Sequence, residues 1–156
     1  MDKRSGRTGF WLGLLLYAAS FFLSCVGGRG VFTPKPPSGA DCAVDSFFFP
    51  WIYVHHHSVG SFLTDAPIKN VSIAITGWIN PIFFLAVLLQ VIGKTLELTK
   101  ILRNVILLML PFCWIEFLYW HVYPREGYFL WIAAMLLVLF SSELENRRSV
   151  LESVSG

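Results

Sequence analysis

Residues 72–93 read SIAITGWINPIFFLAVLLQVIG, a stretch without a charged side chain between Lys69 and Lys94. An α-helix rises about 1.5 Å per residue, so this stretch would be roughly 33 Å long and would match the hydrocarbon core of a bilayer. It lacks the in–out alternation of a lipid-facing strand. The stretch therefore predicts a membrane-spanning helix over about residues 71–93.

Three further apolar runs predict three more spans, which gives expected spans at about residues 9–27, 71–93, 103–123 and 127–143. Within the third, the apolar run from Asn104 to Tyr123 contains one charge, Glu116, and the fourth span is short for a full crossing. Charged residues make up 14% of the chain, well below the roughly 25% of a soluble domain. We expect an all-α membrane protein with four transmembrane helices in an antiparallel bundle.

The segment 28–70 is predicted to be a long outer loop. Its first part, GGRGVFTPKPPSGAD (27–41), is rich in Gly and Pro and is typical of a loop. Its second part, DSFFFPWIYVHHHSVGSFL (45–63), is strongly aromatic, but it contains Pro50 and is too short and polar to span. We expect a short helix or turn there, at the membrane interface. Residues 144–156 are expected to form a polar tail that frays.

The lysines and arginines predict the orientation. With the N-terminus inside, eight of them lie on inner segments and four on outer ones. Cytoplasmic loops carry the excess of positive charge. The prediction is a protein of the plasma (bacterial inner) membrane with both termini cytoplasmic.

Three apolar stretches carry a resemblance: FWLGLLLYAASFFL (10–23), GWINPIFFLAVLL (77–89) and GYFLWIAAMLLVLFSS (127–142). Together they resemble a loose group of small, uncharacterised bacterial four-span membrane proteins without an established activity. The resemblance implies the architecture and no catalytic residue.

Glu116 leads a predicted polar cluster in the outer half of the bundle. A carboxylate inside an apolar span is costly, so it is usually paired, protonated or facing a cavity. Residues four apart share one helix face. The cluster is expected to comprise Glu116, Asn80, Thr76, Ser72, Ser20 and Ser24. Two interpretations stay open: glue between helices, or a polar pocket in which Glu116 carries a proton or a cation.

Two of the three cysteines could form a disulfide. Cys25 lies at the outer end of the first predicted span and Cys42 lies in the outer loop, so an oxidising outer side would allow them to pair. Residues 22–25 also resemble a lipoprotein cleavage site, but we expect the N-terminal span to be retained. The adjacent histidines 55–57 lack the spacing of helical metal ligands, and no metal or cofactor site is expected.

Function is less constrained than fold. No phosphate loop, metalloprotease motif or nucleophile elbow is present, so we expect no enzyme. A net charge of +2 without a basic stripe argues against nucleic-acid binding. We expect a structural or accessory subunit that contacts lipids and packs against itself or a larger membrane complex. The alternative is a small transporter or proton-coupled channel that uses Glu116 and Asn80, and a water-accessible cavity at Glu116 would favour it.

Overall fold

The computed structural model describes residues 4–27, 36–92 and 96–155, which are mostly helical. The helices are α1 (Arg4–Ser20), α2 (Gly39–His56), α3 (Val59–Thr64), α4 (Pro67–Gly77), α5 (Ile79–Ile92), α6 (Leu96–Trp120) and α7 (Glu126–Ser155). Two two-residue strands, β1 (Val26–Gly27) and β2 (Tyr123–Pro124), pair antiparallel. The predicted all-α class is confirmed at this level.

Helices α4 and α5 together cover the stretch that predicted the second span, and they meet at a break at Trp78. The break follows from Pro81, which has no N–H to bond the carbonyl oxygen four residues earlier, on Gly77. The Trp78 N–H instead bonds the carbonyl of Ile75 at 3.1 Å. Helical bonding resumes where the Ile82 N–H donates to the Trp78 carbonyl.

Five of the helices pack as two groups around one apolar core. Helix α1 lies along α7, and α6 lies against α4 and α5. The α1–α7 contact is close at Gly13, because a Cβ atom built there would lie 2.6 Å from Val138 Cγ2. The core lies between the groups and includes the buried side chains Tyr17, Ile79, Phe83, Ile106, Met135 and Leu139.

Two helical stretches are long and apolar enough to cross a membrane by length and composition, Pro67–Ile92 and Glu97–Trp120. The apolar parts of α1 and α7, Thr8–Ser20 and Glu126–Ser141, are shorter. At about 1.5 Å per residue they are roughly 20 and 24 Å long, below the 30 Å of a hydrocarbon core. Helix length therefore supports two spans and does not support all four.

The first predicted span is shorter as a helix than expected, because α1 ends at Ser20 and not near residue 27. The Ser20 hydroxyl donates to the Tyr17 carbonyl at 2.6 Å, which competes with regular helix bonding. The next N–H groups, from Phe21 to Leu23, donate three residues back, as in a tightened final turn.

The end of α1 docks onto the start of α2. The N–H groups of Gly39 and Ala40 donate to the carbonyls of Leu23 and Phe21, at 2.9 and 3.1 Å. Free carbonyls at a helix C-terminus and free N–H groups at another N-terminus thus satisfy each other. The β1–β2 pair then ties this end of α1 to the turn between α6 and α7.

The predicted outer loop contains an 18-residue helix, α2, and not the short helix or turn that was expected. Ser38 and Asp41 form a capping box that starts it. Pro50 lies inside α2 and does not end it. Pro50 cannot donate to the Ser46 carbonyl, and that carbonyl lies against Gly77 of α4, where the missing side chain permits close approach.

The C-terminal end also differs from the prediction. Helix α7 continues without interruption to Ser155, so the segment predicted to be a fraying tail is helical. Its sequence after Ser142, ELENRRSVLES, is rich in good helix formers, which explains the continuation.

Candidate functional site

A cavity of about 450 Å³ lies at the end of the bundle where α1 meets α2 and where α6 turns into α7. We name it the Glu116 cavity. Its walls come from the end of α1, β1, α2, both sides of the α4–α5 break, α6 and the start of α7. Polar lining residues include Ser20, Cys25, Cys42, Asp45, Thr76, Asn80, Cys113, Glu116 and Tyr128.

Glu116 projects from α6 into this cavity and bonds to α4. The Thr76 hydroxyl donates to Glu116 Oε1. The same hydroxyl is 3.1 Å from the carbonyl oxygens of Ser72 and Ile73, so it can also turn back onto its own helix. Within the described ranges Thr76 is the one hydrogen-bond donor to Glu116. The second carboxyl oxygen, Oε2, is therefore left to the cavity.

Asn80 does not bond to Glu116, although both line the cavity. Asn80 Oδ1 accepts from the Tyr17 hydroxyl at 2.6 Å and from Trp131 Nε1 at 3.0 Å. Asn80 follows the α4–α5 break, Tyr17 lies on α1 and Trp131 on α7. One side-chain oxygen thus joins three helices, which is a cross-linking role and differs from the transport role considered for Asn80 in the sequence.

The three predicted serines form hydrogen bonds that do not involve Glu116. Ser20 lines the cavity, but its hydroxyl bonds the Tyr17 carbonyl. The buried Ser72 hydroxyl bonds the Ile68 carbonyl at 2.6 Å within α4. Ser24 acts through its backbone, where its carbonyl accepts from the Gly127 N–H. Of the six predicted cluster residues, the structure brings Glu116, Asn80, Thr76 and Ser20 to the cavity, while Ser72 and Ser24 lie outside its lining.

Cys25 and Cys42 come together on the cavity wall. Both are half-buried free thiols, and their side chains hydrogen-bond to each other. The hydrogen bond to Cys25 and burial both raise the pKa of the Cys42 thiol. Cys113 is also free and buried, but it lies deeper, beside the Tyr128 hydroxyl.

Sequence reasoning missed the aromatic side of the site. Tyr128 is 97% buried, and its hydroxyl has no hydrogen-bond partner of good geometry among the described residues. It faces the cavity beside Phe117 and Trp131, with ring centroids 4.8 and 5.9 Å away. Aromatic residues that cluster at a helix turn are also typical of contacts with lipid headgroups, so the sequence alone does not indicate this wall of the cavity.

The histidine triplet is exposed around the end of α2 and stands apart from the cavity lining. Among the residues whose side chains the structure describes, no three His, Cys, Asp or Glu side chains are grouped to hold a metal ion.

No protein-family model, curated protein or solved structure matches this chain. The resemblance to small bacterial four-span proteins therefore stays a prediction, and the function has to be inferred from the geometry of the site.

Proposed function

We propose that this chain is a small integral membrane protein that binds a small organic cation in the Glu116 cavity and exchanges it for a proton. The observation that supports this most is the Glu116 carboxyl group, which lines a cavity of about 450 Å³ and accepts a hydrogen bond through Oε1 alone among the described residues. Small-molecule sites in proteins commonly have volumes of 300 to 1,000 Å³. A cavity at Glu116 supports transport, which was the alternative expected from the sequence, over the dry, packed site of the structural interpretation.

The exposure of its apolar helices supports a membrane location. Only 17% of the most apolar stretch of Glu97–Trp120 is buried, whereas the core helix of a soluble protein would be mostly buried. Large side chains such as Leu108 and Leu118 are 73% and 74% exposed. Contiguous exposed apolar surface marks contact with lipid or with another protein.

We extend this proposal to four crossings with both termini in the cytoplasm. Helices α1 and α7 pack along each other beside the two longer stretches. The non-helical residues after Ser20 have their backbone groups bonded to α2 and to the α6–α7 turn. Irregular backbone is tolerated at membrane depth where protein surrounds it, so these residues can complete the first crossing.

The cavity lining favours a cation. It carries two carboxylates, Glu116 and Asp45, and the rings of Phe49, Phe117 and Trp120 among others. Carboxylates pair with positive charge, and aromatic faces attract cations by about 0.5 to 2 kcal/mol per contact. A neutral ligand of the same shape would gain the apolar contacts but would leave the carboxylates unpaired.

Exchange with a proton follows from Glu116, which is half-buried, whereas the other carboxylate in the lining, Asp45, is exposed. Carboxylates inside membranes are rare and mark proton or ion pathways. A proton and an organic cation each neutralise Glu116, and occupation by one removes the charge that attracts the other. Thr76 holds Oε1 in either case, which leaves Oε2 as the exchange position.

A second candidate, a structural or accessory subunit, is favoured by the outer face of α2. Phe48, Trp51 and Ile52 on this helix are 49%, 65% and 56% exposed. Such a face suits a partner protein, a second copy or the lipid headgroup region.

Binding of matched probes to the purified chain would test the proposal. Trp120 and Trp131 line the cavity, so their fluorescence reports occupation. We expect methyltriphenylphosphonium to bind and neutral triphenylphosphine oxide to bind roughly tenfold or more weakly, a difference of about 1.4 kcal/mol. In vesicles that are more acidic inside than outside, protons should leave as the cation enters. The cation should therefore accumulate inside the vesicles.

Glu116→Gln keeps the shape and should abolish binding and uptake while the fold survives. Glu97→Gln is the matched control, because Glu97 lies on the same helix but is exposed and paired with Lys100 at 3.1 Å. Equal binding of the cation by the Glu116 and Glu97 variants would contradict the proposal, as would equal binding of both probes by the unmodified chain.

A further inference from the structure

The Cys25–Cys42 pair carries an inference that does not depend on what the Glu116 cavity binds. Cys25 lies just before β1, and Cys42 lies in the first turn of α2. Their thiols hydrogen-bond to each other on the cavity wall. The sequence only allowed this pairing, whereas the fold brings both side chains to the same cavity, where they interact.

Both cysteines are held in place by backbone bonds. The Cys25 N–H donates to the Pro37 carbonyl at 3.0 Å, and the Cys25 carbonyl accepts from the Arg125 N–H at 2.9 Å. The Cys42 N–H donates to the Ser38 carbonyl at 3.1 Å. Because these bonds do not involve the sulfur atoms, the thiols are brought together by the fold, and the closeness of two cysteines is the main requirement for a disulfide.

The hydrogen bond makes the two thiols unequal. It raises the pKa of Cys42, as expected when the Cys42 S–H donates to the Cys25 sulfur. The thiolate is the nucleophile in thiol–disulfide exchange. Cys25 is therefore suited to attack first and Cys42 to act second, as the resolving thiol.

We propose that Cys25 and Cys42 form a redox-active pair that is oxidised to an intramolecular disulfide by small organic disulfides entering the Glu116 cavity. The Cys25 thiolate attacks one sulfur of the reagent, which forms a mixed disulfide and releases one thiolate. Cys42 loses its proton to that thiolate and attacks Cys25, which releases the second half of the reagent, protonated by solvent. The protein dithiol loses two electrons and two protons, and one disulfide becomes two thiols.

The new bond would join the segment between α1 and β1 to the first turn of α2. It would add a covalent link to the hydrogen bonds that already hold the start of α2 against the end of α1. The wall of the cavity formed by α2 would then be fixed, since Cys42 and Asp45 both lie on it.

Oxidation of the intact chain is the first test. The reduced, purified protein is treated with bis(2-hydroxyethyl) disulfide, and its intact mass and peptide map are measured. We expect a product two hydrogen atoms lighter, with Cys25 linked to Cys42 and with Cys113 free. A product that links Cys113, or a chain that stays a trithiol in excess reagent, would overturn the proposal.

Single variants test the order of attack. Cys42→Ser should trap the reagent on Cys25. Cys25→Ser should react at Cys42 at least tenfold more slowly, because burial and the carboxylates of Asp41 and Asp45 still raise the pKa of Cys42. Cys113→Ser is the control and should form the disulfide at the rate of the unmodified chain. Equal rates at Cys25 and Cys42 would refute the assigned roles, and loss of the disulfide in the Cys113 variant would refute the pair.

Discussion

Gly13 sets how closely α1 approaches α7, and Gly13→Ala should separate them. The added Cβ would lie 2.6 Å from Val138 Cγ2 and 3.2 Å from the Ala134 carbonyl oxygen and the Val138 nitrogen. Carbon atoms pack best at about 3.5 to 4.0 Å, so Val138 would have to move by about 1 Å. The two backbone contacts oppose a simple side-chain rotation, and overpacking of this kind costs about 1 to 3 kcal/mol.

The same helix offers a matched control at Gly9. A Cβ built there meets nothing within 4 Å, so Gly9→Ala should show only the helix-propensity gain of about 0.5 to 1 kcal/mol. The difference between the two variants isolates the packing effect. It can be measured as the free energy of reversible unfolding in mixed micelles, followed by circular dichroism.

A double variant tests which atom is responsible. Val138→Ala removes Cγ2, so it should relieve part of the penalty in the Gly13→Ala background, with a coupling energy of about 0.5 to 3 kcal/mol. If Gly13→Ala unfolds with the same free energy as Gly9→Ala, α1 does not lie against α7 as described, and the reasoning from this contact fails.

Two further predictions concern the cross-link and the topology. Asn80→Ala should cost more stability than Tyr17→Phe, because it leaves the Tyr17 hydroxyl and the Trp131 N–H both without their acceptor. Tyr17→Phe removes one hydrogen bond, worth about 0.6 to 2 kcal/mol in a membrane. Equal free energies of unfolding for Asn80→Ala and Tyr17→Phe would contradict the three-helix role of Asn80. Reporter fusions after residues 60, 97 and 156 should report outside, inside and inside, and a periplasmic signal at the last position would disprove four crossings.

The apolar runs predicted where helices form, because continuous apolar sequence leaves the backbone few alternatives to a helix. The length of α1 could not be predicted in this way. Its end depends on the N–H groups of Gly39 and Ala40, which bond the carbonyls of Leu23 and Phe21 just after α1. Hydropathy continues to Val26, but the helix ends where other backbone groups become available.

Helix α2 was missed because proline inside a helix usually breaks it. The structure shows how Pro50 is tolerated, because the Ser46 carbonyl, to which Pro50 cannot donate, lies against Gly77. This compensation joins residues that are far apart in the sequence, so no local pattern indicates it.

Only part of the candidate site could be predicted, because the rest also depends on contacts between residues that are far apart in the sequence. The cost of an intramembrane charge indicated Glu116, and the four-residue spacing placed Thr76 and Asn80 on one helix face. The actual partner of Asn80 depends on how α1 and α7 are rotated, which brings Tyr17 and Trp131 to the same oxygen. Helix rotation is set by packing and has only a weak signal in an apolar sequence.

The pairing of α1 with α7 has a consequence for the order of assembly. More than a hundred residues separate Gly13 from Val138, and chains grow at about 5 to 20 residues per second. Helix α1 therefore waits roughly 6 to 25 s during synthesis before its main neighbour exists. Through that interval Gly13 and the Tyr17 hydroxyl are without their final contacts. Insertion machinery or a chaperone that shields this face of α1 would act on α1 before it acts on any other helix.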